Sequence, residues 1–138
     1  MSKIQKRVNK ILKILKNQRS LSGKLPEFEF SADYDTAYSL IFDPHGIFEN
    51  TTFLNPVYLS RLDDEEVKAV LCHEIGHHHL FTSNEFECDQ FSVLQCHVKP
   101  EACISSLRKG IRMFKFSKAD LKFVNKRISN LENLVVGS

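Results

Sequence analysis

His73 and His77 stand four residues apart, with Glu74 beside the first of them, in the run Cys72-His73-Glu74-Ile75-Gly76-His77-His78-His79. A helix turns the chain by about 100° per residue, so positions four apart are offset by only ~40°. Both imidazoles then project from one face, one turn apart, where they reach a single tetrahedral metal ion. Glu74 lies next to them, placed to act as a base toward water without being a ligand. His-Glu-x-x-His on a helix is the spacing of zinc hydrolysis. His78 and His79, at ~100° and ~200° from His77, leave the ligand face and read as solvent or packing residues.

A pair of histidines needs a third ligand, and three acids follow closely: Glu85, Glu87 and Asp89. The helix carrying His77 runs from about 64 to 80, and a connection of about four residues fits two antiparallel helices. Glu85 then falls in the first turn of the second helix, near the level of His77. Asp89 lies about 6 Å further along the axis, at the level of His73. Glu85 and Asp89 share a face. Glu85 is therefore the expected zinc ligand, and Asp89 the expected acceptor for the far nitrogen of His73, fixing that ring's tautomer. Glu87, ~200° round from Glu85, points away.

The surrounding pattern is α+β. Ile4, Val8, Ile11, Leu12 and Leu15 form one apolar stripe on a helix over about 2–18. Residues 20–26 break it. Phe28 and Phe30, alternating with glutamates, predict a short strand. Residues 37–43 and 47–55 read as an antiparallel hairpin around the turn Pro44-His45-Gly46, ended by Asn55-Pro56. Asp63 with Glu66 forms a capping signature for the histidine helix. Further helices are expected over about 85–96, 100–114 and 118–134, the last started by Ser117 with Asp120.

Composition sets outer limits. The 138 residues are 42% apolar and 26% charged, which fits one compact domain over 1–138. No eighteen-residue apolar run is present, so no transmembrane helix is expected. The N-terminus has no signal-peptide apolar core, which predicts a cytoplasmic protein. Cys72, Cys88, Cys96 and Cys103 make no C-x-x-C pair and read as reduced, with Cys72 in the core. Residues 1–26 carry eight Lys and Arg and no acid. The plain reading is an amphipathic helix with a solvated basic face. A membrane surface or nucleic acid is the weaker alternative partner.

Two stretches carry a family resemblance. The run from Asn55-Pro56-Val57-Tyr58-Leu59 through Leu62-Asp63-Asp64-Glu65-Glu66-Val67-Lys68-Ala69-Val70-Leu71 to His73-Glu74-Ile75-Gly76-His77 resembles the corresponding run of the HtpX/CAAX-prenyl-protease metallopeptidases. Asn84-Glu85-Phe86-Glu87-Cys88-Asp89 resembles their Glu-x-x-Ala-Asp segment and the Asn-Glu-x-x-x-Asp of thermolysin-like enzymes. Together they cover roughly 55–93. The chain is thus similar to the gluzincins, and in its small size to the minigluzincins. Cys88 stands where that family usually has Ala, and no subdomain is inserted between His77 and Glu85. The resemblance implies a small zincin-like domain and a zinc endopeptidase with Glu74 as general base. It also implies an extended peptide substrate pairing with an edge strand, for which Ala37, Tyr38, Ser39 and Leu40 are the candidates. Gly76 is expected to let a neighbour approach the helix closely. His45, His97 and Tyr38 are candidate donors to the oxyanion, His97 being far along its helix from Glu85. The alternatives are a protease acting on one regulatory partner, or a zinc-stabilised binding module without activity. Glu74 separates the last from the others, because a structural zinc site has no need of a base.

Overall fold

A computed structural model of the chain describes residues 2–18, 21, 25–41 and 50–136. These form six helices and three short strands: α1 (Lys3–Lys16), β1 (Glu27–Phe30), β2 (Ala37–Leu40), β3 (Thr51–Leu54), α2 (Pro56–Ser60), α3 (Asp64–His79), α4 (Glu85–Leu94), α5 (Pro100–Met113) and α6 (Lys118–Val136). The expected α+β class is the observed one.

Helix α3 is the centre of the molecule, packed against α4, α5, α1 and β2. Its start follows from Asp63, whose side chain accepts from the Glu66 amide while the Glu66 side chain accepts from the Asp63 amide. Asp64, Glu65 and Glu66 in the first turn, and three histidines in the last, suit the helix dipole. Val67, Leu71, Cys72 and Ile75 are buried, and so are Glu66, His73, Glu74 and His77 on other faces. A helix covered this completely is a core element rather than a surface one. Burial of Leu71, Leu59 and Leu54, each fully inaccessible, contributes roughly 2 kcal/mol apiece.

The strands order β1-β3-β2. β2 and β3 are antiparallel, with Ser39 opposite Thr52 and Ala37 opposite Leu54. This is the expected hairpin pairing; the turn around His45 lies outside the described residues. β1 adds to the other side of β3 in parallel, Phe28 beside Thr52. β2 is therefore an edge strand and packs on α3.

The remaining elements hold this arrangement. In α1, Val8, Ile11 and Leu15 are buried, and the expected stripe is the one used. Arg7 ties it to the start of α3, donating to Asp64 at 2.6 Å and to the Leu62 carbonyl at 2.5 Å. Helix α2 is not among the elements expected above. Asn55-Pro56 ends β3 as anticipated but also starts this helix: Asn55 Oδ1 accepts from the Val57 and Tyr58 amides, and Pro56 occupies the first turn. The Asn55 amide group also donates to the Tyr34 carbonyl at 2.7 Å, fixing the approach to β2. α4 begins at Asn84, which caps the Glu87 amide, and α6 at Ser117, which caps the Asp120 amide.

Candidate metal centre

The site is made by α3 and α4 running antiparallel, since His77 meets Glu85 and His73 meets Asp89. Gly76 permits the approach. A Cβ there would sit 3.1 Å from the Phe91 ring and 3.4 Å from the Cys88 Cα, so the expected role of this glycine is observed. The turn between the helices is tight. The Thr82 amide donates back to the His77 carbonyl at 3.1 Å and the Phe81 amide to the His78 carbonyl at 3.3 Å. Phe81 takes the left-handed conformation (φ 51°) that glycine usually supplies at a helix end.

Each of these two histidines is oriented from behind. His73 Nδ1 donates to Asp89 Oδ1 at 2.7 Å, and His77 Nδ1 donates to the Thr82 carbonyl at 2.8 Å. Both Nε2 atoms are thereby turned the same way and meet one carboxylate. Glu85 Oε1 is 2.8 Å from His77 Nε2, and Glu85 Oε2 is 3.4 Å from His73 Nε2. Two imidazoles and a carboxylate converging with their rear atoms satisfied fit a zinc ion as donor set. Glu74 Oε2 stands 4.0 Å from His77 Nε2, outside the convergence but beside it. Glu87 is exposed, as expected.

Cys88 is a second donor facing this point. Its sulfur and one nitrogen each of His73 and His77 lie within 4.8 Å of one another. The sequence reading gives Cys88 no role beyond a reduced cysteine standing where the resembled family usually has Ala. It follows Glu85 by three positions on α4 and so shares the inward face. The direct contacts of Glu85 with both Nε2 atoms favour the carboxylate as third ligand.

Sequence reasoning missed Arg127. It reaches in from α6 and forks onto Asp89, Nε to Oδ2 at 2.9 Å and Nη2 to Oδ1 at 2.8 Å, with Nη1 3.2 Å from Glu85 Oε2. A signal for it exists. Val124, Ile128 and Leu131 are the buried stripe of α6, and Arg127 falls on that stripe. A guanidinium at a core-facing position demands an acidic partner.

Electrostatics follow from these contacts. Burial raises the Asp89 and Glu85 carboxyls, but hydrogen bonds from Arg127 and His73 to the first, and from His73 and His77 to the second, outweigh it and hold both below the usual carboxylate range. Burial works against a charged His77, yet Cys88, Glu85 and the Thr82 carbonyl push it up to about 11. Protons and a metal thus compete for the same nitrogens.

His78 leaves the convergence, as expected, and packs toward the sheet. It is half-buried, with Nε2 2.9 Å from Thr52 Oγ1. Burial and the neighbouring His77 push it down to about 4. Its place was legible in one respect: Glu74 and His78 are four apart and share a face.

Two hollows flank Glu74. One, of about 130 Å³, has an apolar wall from Val70, Leu107, Phe116 and Val124 and opens onto His73, Glu74 and Arg127. α5 and α6 therefore shape a hollow beside the site. The other runs along β2, from Ala37 through Leu40, to Glu74 and His77. Ala37, Ser39 and Leu40 are partly buried there; Tyr38 is 46% exposed and stacks on Tyr34 with centroids 5.0 Å apart. His97 is exposed beyond the end of α4, and His45 lies outside the described residues.

No protein-family model, curated protein or solved structure matches the chain. The site's own geometry therefore carries the functional argument.

Proposed function

We propose that the chain is a zinc-dependent endopeptidase of the gluzincin type, with His73, His77 and Glu85 as metal ligands and Glu74 as general base. The observation that carries this reading is the convergence of both Nε2 atoms on Glu85 with Glu74 alongside. Zinc, when bound, supplies Lewis acidity and lowers the pKa of water to roughly 7. The chain's own groups do the rest. Asp89 and the Thr82 carbonyl keep the imidazoles aimed. Glu74 takes the proton of the attacking water and delivers it to the leaving amine. An extended peptide lies along the open edge of β2, bonded through backbone at 37–40, so sequence selectivity comes from the hollows beside it.

The substrate partner is thus a peptide or protein segment in extended conformation. Among the described residues no helix is long and apolar enough to cross a membrane. We place the protein in the cytoplasm, in keeping with four free thiols. A role confined to one regulatory partner fits the same site chemistry. A purely structural zinc module is disfavoured because Glu74 stands beside the convergence, 4.0 Å from His77 Nε2, and faces both hollows.

The test is digestion of a mixed peptide library by the zinc-loaded protein and by Glu74→Gln. Cleavage by the wild type that falls about 10²–10⁴-fold in the variant, with zinc retained, is the expected result. Equal cleavage by both contradicts the assignment of the base.

A further inference from the structure

We infer that Ser39 is the positioning residue for Glu74, at the end of a directed chain of hydrogen bonds His78–Thr52–Ser39–Glu74; the inference rests on the hydrolytic reading above. Ser39 Oγ is 2.8 Å from Glu74 Oε2, Ser39 Oγ is 2.8 Å from Thr52 Oγ1, and Thr52 Oγ1 is 2.9 Å from His78 Nε2.

Proton counting fixes the direction. An ionised carboxylate only accepts, and each hydroxyl has a single proton to give. Ser39 has two acceptors in reach, Glu74 Oε2 at 2.8 Å and the Glu74 carbonyl at 3.3 Å. The charged and nearer one takes the proton. Ser39 then accepts from Thr52, and Thr52 accepts from His78. His78 therefore carries a proton on Nε2. This accounts for its Nδ1, which is buried without a partner among the described residues: a bare ring nitrogen is tolerated there better than an unmatched N–H. Thr52 is completely buried, and its hydroxyl is satisfied by the same chain.

The chain joins three elements. Ser39 and Thr52 are cross-strand partners on β2 and β3, while Glu74 and His78 are one turn apart on α3. The sheet thus grips α3 at the base itself. The consequence is chemical as well as mechanical. Glu85 sits 2.8 Å from His77 Nε2 but Glu74 Oε2 is 4.0 Å away, on the side where Ser39 holds it. A carboxylate released from Ser39 is free to swing to the metal and become a further ligand. Ser39 keeps Glu74 a base.

The experiment compares wild type, Ser39→Ala and Ser39→Thr, each loaded with cobalt(II) in place of zinc. Expected for Ser39→Ala are stoichiometric cobalt, a visible spectrum altered by an added carboxylate ligand, and a kcat lower by about tenfold or more at unchanged KM, the scale of one hydrogen bond to a charged group. Ser39→Thr keeps the hydroxyl and restores both. In the wild type, nitrogen NMR should find His78 as the Nε2–H tautomer. An unchanged cobalt spectrum in Ser39→Ala, a loss confined to KM, or an Nδ1–H tautomer of His78 overturns the inference. Failure of the underlying reading looks different. A cobalt-loaded wild type that cleaves nothing defeats the hydrolytic role and leaves the spectra and tautomer to decide the positioning. A wild type that holds no cobalt defeats both.

Discussion

Helix α3 buries two glutamates, eight residues apart, and treats them in opposite ways. Glu66 is 2% exposed and Glu74 7%. Glu66 is saturated: Oε1 accepts from the Asp63 amide at 2.9 Å and from Lys109 at 2.6 Å, and Oε2 accepts from Ser105. Its carboxyl is held below the usual range; burial raises it, but Lys109, Ser105 and the Asp63 amide prevail. Glu74 receives one hydroxyl proton, has no cation among the described residues within ion-pair distance save His77, and faces open space on two sides. Burial alone does not separate a structural acid from a reactive one. The degree to which its oxygens are already occupied does, because a base needs a free lone pair and room for a substrate.

The comparison is broken most sharply by exchanging one variant for the other. Glu74→Gln is expected to leave the thermal midpoint within a few degrees while abolishing most cleavage. Glu66→Gln should do the reverse, costing about 2 kcal/mol of stability by leaving Lys109 and Ser105 poorly matched, with kcat nearly unchanged. Lys109 is about a third exposed, which keeps that figure below the value for a fully enclosed pair. Denaturant unfolding and peptide cleavage on both variants check it. Loss of activity in Glu66→Gln at full stability contradicts the division of roles.

Acid titration sharpens it further. Glu66, Glu85 and Asp89 are all depressed in the fold from ordinary values of 4.5, 4.5 and 3.8. A depressed carboxyl contributes stability that is present above its ordinary value and lost as pH falls through its folded value. The wild type is therefore expected to lose stability steadily below about pH 4.5. Glu66→Gln should flatten part of that slope. The smallest effect is expected at Cys88. Cys88→Ala should weaken zinc binding far less than Glu85→Gln, and the reverse order would move the third ligand to the thiol.

How much of this was legible in sequence depends on chain distance. The proposed ligand set lies within residues 73–89, where helical rise and rotation alone place His73, His77, Glu85 and Asp89 on facing sides of two helices. The same arithmetic turned Glu87 away from that face, and it is exposed. The helices themselves carried caps at Asp63 and Ser117 that are present in the fold. Arg127 and the contact of Ser39 with Glu74 were out of reach, because they depend on the packing of α6 and on the placement of β2 against α3. α2 was hidden for a different reason: Asn55-Pro56 serves as a strand stop and a helix start at once.

The central claim is that His73, His77 and Glu85 form one zinc site, and metal content after exhaustive dialysis tests it most directly. One zinc per chain is predicted for wild type and for Glu74→Gln, with Glu85→Gln losing most of its metal under the same dialysis. A wild type without stoichiometric metal, or a Glu85→Gln protein as fully loaded as the wild type, would contradict it.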